Sequence, residues 1–548
     1  MADVPAELVS YPDTILYDGN IRTVDDDGAV AEAVAIRDGE FLAVGETAEV
    51  RELAGPETVE RDLGGQTVVP GLIDSHIHLR QVGMDLNRVT LFDARSIDDI
   101  LDAVAAEADA LDDGEWVLAG WGWHESQLDE ERLPTRSELD TVAPDNPVFI
   151  PRGGHVAIVN SIVLEMAGID ADTDDPDGGT IVRKPETGEP NGVVLENART
   201  EVVEPVLPER GYEDFVADIK RAMGELNSRG ITAAMEPGLE QAELRAYQRV
   251  ATEDEATVRT DALVRVYSLD DVKDAGSYFY KDFGDEMLKI GGVKYMLDGG
   301  VEGARLSEPY EIVEDVQEQE DYYGHYLMPE GGGGLEELHE MYKLAAERGH
   351  QVQTHVVGDD AIERLLDAYE AANEVRDIEP LRWTAMHVFL PREEHIERMD
   401  ELGVMATVQN HPTFLGRNME LLWGQERAER AIPLRTLVDS PIEVGGGTDA
   451  PVVPWYPFES IWWMVTRDTV TAGTLGPDEA ITAEEALRLW THDAAYSMHW
   501  EDELGSIEPG KRADLAVLDR DIVTCDPADI RETNVELTMV DGDIVHEQ

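Results

Sequence analysis

The sequence predicts an α/β fold, either a barrel or a doubly wound sheet, with a small β-domain assembled from both chain ends. Three observations predict it. Through the middle of the chain, helical patterns alternate with short apolar runs. Near both termini, Asp-Gly turns separate alternating apolar runs, a pattern that reads as hairpins. Residues able to bind metal recur where the central apolar runs end.

The chain has 548 residues, more than a single core accommodates, so one large domain with insertions or two to three domains are expected. Asp and Glu number 117 against 43 Lys and Arg, giving a formal net charge of −74 spread over the whole length. With 42% hydrophobic residues the chain has the means to bury a core, which excludes the reading of such charge as disorder. A folded protein this acidic suits concentrated salt, where screening suppresses self-repulsion. It lacks the basic footprint that nucleic acid or an anionic membrane surface requires. Cys525 is the only cysteine, so an intrachain disulfide and a thiolate metal cluster are both excluded. Residues 1–10 are acidic and lack an apolar stretch with basic flanks, and no run of about 18 apolar residues occurs. A cytoplasmic location is expected.

From Asp13 to Val69 the chain reads as short strands broken by turns: Thr14–Tyr17, Ala33–Ile36 and Phe41–Val44, with Asp18-Gly19 and Asp38-Gly39 between them. Ala513–Leu518 and Val535–Val540, the latter followed by Asp541-Gly542, repeat that style. Joined, the two ends cover each other's apolar faces; the expected limits are 1–69 and 500–548. The stretch 70–499 carries the alternation. Ser96 to Asp99 resembles a capping box opening a helix with Ile97, Ile100, Leu101 and Val104 on one face. A helix over Tyr212–Arg229 leads to the strand Ile231–Met235, and a helix over Leu335–Arg348 leads to the strand Gln351–His355. The strands Trp383–His387, Val404–Gln409 and Ile442–Gly445 follow, and Thr482 to Glu485 caps a late helix. Residues 80–205 are too many for one connection and are expected to form an inserted subdomain.

Pro70 to Leu79, PGLIDSHIHL, reads as a strand entered from a Pro-Gly turn. Alternate residues of a strand face one side, so His76 and His78 point together from Cα atoms roughly 7 Å apart, and two imidazoles can share an ion at about 2 Å. Alone, such a pair is a weak signal and is more often two ordinary polar residues at a strand end. Lys294, His355, His387 and Asp449 end further strand-like runs. Each has a plainer reading: a solvated lysine, hydrogen-bonded histidines, an aspartate turning the chain after Gly446-Gly447-Thr448. Together they supply enough ligands for one or two divalent ions.

The order PGLIDSHIH, strand Lys, strand His, strand His, Thr-Asp-Ala-Pro resembles the amidohydrolase superfamily. The closer likeness is to its family 3 branch, the YtcJ-like enzymes that include N-substituted formamide deformylases. Motifs along nearly the whole chain carry it, among them Gly120-Trp121-Gly122-Trp123, Gly154-His155, Gly178-Gly179-Thr180-Ile181, Gly192 to Ala198 and Gly505 to Asp514. The resemblance implies a TIM (β/α)8 barrel with a β-sandwich built from both termini and a subdomain inserted after the first strand. It implies that His76, His78 and Asp449 hold one zinc-like ion and that His355 and His387 hold a second. Lys294, carbamylated by CO2, would bridge the two, since an ammonium cannot ligate a cation whereas a carbamate presents two anionic oxygens. Asp449 would act as general base.

Trp123 and His155 lie in family motifs and are expected at the substrate. His411, in Gln409-Asn410-His411-Pro412 where Gln-Pro is the usual pattern, is either a substrate contact particular to this chain or a loop histidine. His124 stands where Asp is commoner, and Asp298 could support the metal shell or cap the Gly299-Gly300 turn. The implied activity is hydrolysis of a carbon–nitrogen bond other than a peptide bond, in a small amide or cyclic amide. A homodimer would be ordinary. Two rivals stand beside it. A mononuclear deaminase would carry His-x-x-Glu after a strand, but Gly358 follows His355 at that spacing. A catalytically silent binding protein would have lost ligands, and this chain keeps every candidate.

Overall fold

Eight parallel strands form the centre of the molecule: β1 (Leu72–Asp74), β2 (Ile231–Leu239), β3 (Arg259–Arg265), β4 (Leu288–Met296), β5 (Gln351–Val356), β6 (Thr384–His387), β7 (Met405–Gln409) and β8 (Val444–Gly447). Each pairs with its successor in sequence. The computed structural model describes residues 11–154, 156–177, 179–278, 283–311, 322–329 and 332–548. Beyond β8 the chain returns to the segment leaving β1: Ser75 N–H donates to Gly446 O (3.0 Å), Asp449 N–H to His76 O (2.7 Å) and His78 N–H to Ala450 O (2.8 Å). The sheet thus curls into a barrel, the arrangement expected of strands buried on both faces under covering helices.

Local chemistry explains the helices that cover it. Helix Ile97–Ala110 starts at a capping box in which Ser96 Oγ accepts from Asp99 N and the Asp99 carboxylate accepts from Ser96 N. Thr482 and Glu485 do the same for Ala483–Leu489. Gly334–Arg348 stops at Gly349, whose φ of 74° is open to glycine, and so feeds β5 after a single turn. Asp359–Asn373 buries Ile362, Leu365, Leu366 and Tyr369 at helical spacing against the barrel wall. Among the described residues no helix is long and apolar enough to cross a membrane.

Between β1 and β2 the chain builds a separate five-stranded sheet, in the order Gly179–Arg183, Pro190–Glu196, Val156–Val159, Val148–Arg152, Val117–Leu118. It has apolar clusters of its own, one around Ile100, Val104, Val117, Ile150 and Ile158. The two chain ends meet in a six-stranded sheet, where Thr67–Pro70 lies between Asn20–Arg22 and Leu515–Leu518. A four-stranded sheet of N-terminal strands shares its core: Leu16, Val34, Ile36 and Phe41 pack with Val68, Leu515, Val517 and Leu537. Asp541 and Gly542, both at positive φ (50° and 76°), make the tight hairpin turn expected there.

Three local expectations change. The Asp18-Gly19 turn makes no hairpin: Thr14–Tyr17 pairs with Ala33–Arg37 and Val59–Asp62, and the turn carries the chain across to the other sheet at Asn20. A Cβ on Gly19 would lie 2.6 Å from Leu63 Cδ1, so any larger residue at this crossing has to displace the Leu63 side chain. Strand β1 ends at Asp74, before either histidine, because the chain there shares its bonds between β2 (Ile77 N–H to Met235 O) and the segment around the end of β8. Strand β2 runs four residues past the expected Met235, to Leu239, by way of a bulge at Gly238.

Candidate metal centre

The histidines converge at the C-terminal mouth of the barrel. His76 and His78 lie beyond β1 with ring centroids 5.5 Å apart and planes at 87°. The backbone bonds that tie this segment to β2 and to the chain after β8 aim both rings at Asp449: Oδ1 is 3.1 Å from His76 Nε2 and 3.3 Å from His78 Nε2. His387 ends β6 and stacks 4.8 Å from His76 and 4.5 Å from His355 of β5. His411 opens the helix His411–Trp423 directly after β7 and puts Nε2 2.9 Å from Asp449 Oδ2. Lys294 of β4 is 2% exposed, and its charge acts on both His76 and His355.

Several features fit a divalent cation. Ligand atoms of His76, His387 and Asp449 lie within 4.8 Å of one another, a spacing that an ion at their centre would span. His76 Nε2 is buried with no aligned hydrogen-bond partner. His387 Nδ1 contacts Gln409 Oε1 at 2.7 Å, which holds the proton on Nδ1 and leaves Nε2 to accept. His387 and Asp449 also hold φ at 75° and 63°, left-handed backbone that non-glycine residues adopt at a cost of order 1–3 kcal/mol, a cost tolerated where position matters.

Electrostatics prepare the same donor state. Burial, with Lys294 adding to it, pushes His76 and His355 down to about 3, and burial beside His355 pushes His387 lower than the usual imidazole range. These rings are neutral near pH 7, as ligation demands. Burial works against the Asp449 carboxylate, but the imidazoles of His76, His411 and His78 outweigh it and keep the group well below the usual carboxylate range. Burial, reinforced by the Arg265 guanidinium, pulls Lys294 down to about 7.

Of the residues expected at the substrate, Trp123 stands apart. Trp123 is 5% exposed in the core of the inserted sheet, its indole N–H donating to Pro151 O at 2.8 Å. His155 lies outside the described residues. His124 faces Glu302 (3.4 Å) and Glu125 (3.6 Å). Asp298 neither caps the glycine turn nor reaches a ligand closer than 4.0 Å from His355; it accepts from the amides of Arg305, Val357 and Gly358 and so clamps the loops after β4 and β5.

Three supporting residues escaped the sequence reading. Glu236, in the unread half of β2, has Oε1 3.7 Å from His78 Nδ1 and Oε2 2.5 Å from Tyr247 Oη; an acid directly after an apolar run and before Pro-Gly was the available signal. Asp74 is wholly buried and accepts from His76 N, Thr448 N and Thr448 Oγ1, so one carboxylate braces the first and last ligand segments. Gln409, the last residue of β7, meets His387 Nδ1 at 2.7 Å, and the sequence marks it only as the end of an apolar run.

A parallel barrel with this cluster at its mouth defines a metal-dependent hydrolase. The chain belongs to the amidohydrolase family, whose sequence pattern matches residues 59–546. It is 31% identical to the N-substituted formamide deformylase of Arthrobacter pascens, over 99% of each chain. It also resembles a solved, uncharacterized metal-dependent hydrolase from Pyrococcus horikoshii, with a TM-score of 0.73 and 28% identity over 94% of this chain and 99% of that one. Atrazine chlorohydrolase TrzN from Arthrobacter aurescens, solved with zinc, shares the fold at a TM-score of 0.54 and 16% identity, covering 97% of this chain and 95% of its own.

Proposed function

We propose that this hydrolase cleaves the carbon–nitrogen bond of a small amide or cyclic amide at a centre of two divalent ions, zinc foremost. The observation that carries the reading is the double engagement of Asp449, one oxygen toward His76 and His78 and the other toward His411. The 31% identity to a formamide deformylase supports amide chemistry, and the zinc in the chlorohydrolase supports the metal. His76, His78 and Asp449 would hold one ion and His355 and His387 the other, with Lys294 joining them as a carbamate formed from CO2. Ions held by these residues would polarise the substrate carbonyl and lower the pKa of water.

The remaining steps belong to side chains. Asp449 takes a proton from the attacking water and returns it to the departing nitrogen, so an amide and water leave as a carboxylic acid and an amine. His411, on the far oxygen, fixes the carboxylate and shares its proton traffic. Glu236 orients His78 through Nδ1, and Gln409 orients His387. The barrel over 70–499 would carry this chemistry, with residues 80–205 as a unit beside the mouth and 1–69 with 500–548 as a β-sandwich.

A single ion held by His76, His387 and Asp449 is the second reading, favoured by their tight spacing. Metal analysis combined with a panel of formamides, other N-acyl amines, carbamates and lactams separates the two. Close to two equivalents of metal and turnover of an amide are expected. One equivalent favours the second reading, and metal-free protein that hydrolyses none of the panel sinks both.

A further inference from the structure

Arg265 ends β3 at the mouth, in register with Lys294 on β4, and partners on adjacent parallel strands present their side chains to the same side. Its guanidinium extends past Lys294 toward the rim, where Nη1 meets Met296 Sδ at 3.2 Å. Room for it is made on the other flank. Gly238 sits at the bulge of β2 with φ of 87°, and a Cβ there would come within 2.9 Å of Arg265 Nε. The ring of Tyr267 lies 5.8 Å from Arg265 Cζ.

Among the described residues Arg265 forms no ion pair. That is notable in a chain with 117 acidic side chains against 43 Lys and Arg, where Arg80, Arg259 and Arg305 around the same barrel each hold a carboxylate. Its half-buried guanidinium gives one weak hydrogen bond, to the Met296 thioether, and among the described residues no carboxylate takes the rest of its planar donor fork. It also stands as a positive point at the entrance of a strongly negative molecule, where it would attract an anion.

We infer that Arg265 binds a carboxylate on the substrate, so that the amide cleaved belongs to an N-acylated amino acid or a similar acid with its carboxylate a few bonds from the scissile nitrogen. This deepens the amide-hydrolase reading and rests on it. A carboxylate held by the guanidinium on the Lys294 wall leaves the acyl carbon free to face Asp449 across the mouth. A fork of two charge-assisted hydrogen bonds favours the carboxylate-bearing substrate by about tenfold to a hundredfold.

The test compares N-formylphenylalanine with N-formylphenethylamine, which share a skeleton and differ by the carboxylate, on metal-loaded protein. Wild type should favour the acid in kcat/KM by at least about tenfold. Arg265→Met should erase that preference through KM and retain the metal content; Arg265→Gln serves if the Met variant does not fold, and Arg265→Lys should restore part of the preference. Equal kcat/KM for the two compounds in wild type, or a preference that survives Arg265→Met, overturns the inference. If neither compound turns over, formamide hydrolysis fails, and calorimetric binding of N-formylphenylalanine still decides the matter. Binding weakened about tenfold or more by Arg265→Met supports the carboxylate site; no binding, or equal binding, overturns it.

Discussion

His411 Nε2 lies 2.9 Å from Asp449 Oδ2, on the oxygen opposite the one that faces His76 and His78. Asp449 is therefore held from two sides. One oxygen belongs to the ligand cluster and the other to an imidazole able to steady it and to exchange a proton. His411→Asn should lower kcat about 100-fold, in the range for a positioned proton-transfer partner, with metal content unchanged. Steady-state kinetics beside metal analysis read both, and an unaltered kcat would remove His411 from the reaction.

Asp449→Asn keeps the shape and removes the base. Hydrolysis should fall by at least about 100-fold while the histidines retain most of the metal. Activity close to wild type would mean that the proton leaves by another route.

Lys294 is the one candidate ligand that must be chemically changed to serve. Lys294→Met should drop the bound metal from about two equivalents toward one, and wild-type protein equilibrated with 13C-bicarbonate should give a carbamate carbon signal absent from the variant. Two ions retained in the variant would show that the lysine bridges nothing.

Arg259 joins the barrel to the C-terminal strands. It is 2% exposed, with Nε 2.8 Å from Asp514 Oδ2 and Nη2 2.6 Å from Asp541 Oδ1. Arg259→Met leaves Asp514 buried without its partner and should cost about 3–5 kcal/mol in urea unfolding. Arg259→Met with Asp514→Leu should recover much of the loss, and no recovery would argue that the contact is packing rather than charge.

With a net charge of −74, stability should rise with salt. Self-repulsion among acidic side chains extends over about 10 Å at 0.1 M and about 3 Å at 1 M, while buried pairs such as Arg259–Asp514 are screened far less. The melting temperature is expected to climb steadily in KCl up to molar concentrations, and a flat or falling curve would contradict this.

The helix–strand alternation was legible because each element carries its own period and stops: Ser96 and Thr482 open helices, Gly349 closes one. Strand ends were harder, since a bulge at Gly238 or a switch of pairing after Asp74 depends on neighbours far along the chain. Glu236 lies past the apolar run that marks β2, and His76 and His78 share a direction through bonds to β2 and to the chain around the end of β8 rather than through strand alternation.

The sequence by itself determined the class of fold, the family likeness and the metal-binding residue types at the ends of apolar runs. Those follow from local pattern and residue chemistry. Only the tertiary structure decided that Asp449 meets His76, His78 and His411 at once, that Trp123 packs in the inserted sheet, and that Arg265 stands beside Lys294 with no ion pair among the described residues. The physical reason is barrel closure. Bringing the chain after β8 against the chain after β1 joins residues some 370 positions apart, as in the hydrogen bond from Thr448 to Asp74, and no local period records which side chains such a closure makes neighbours.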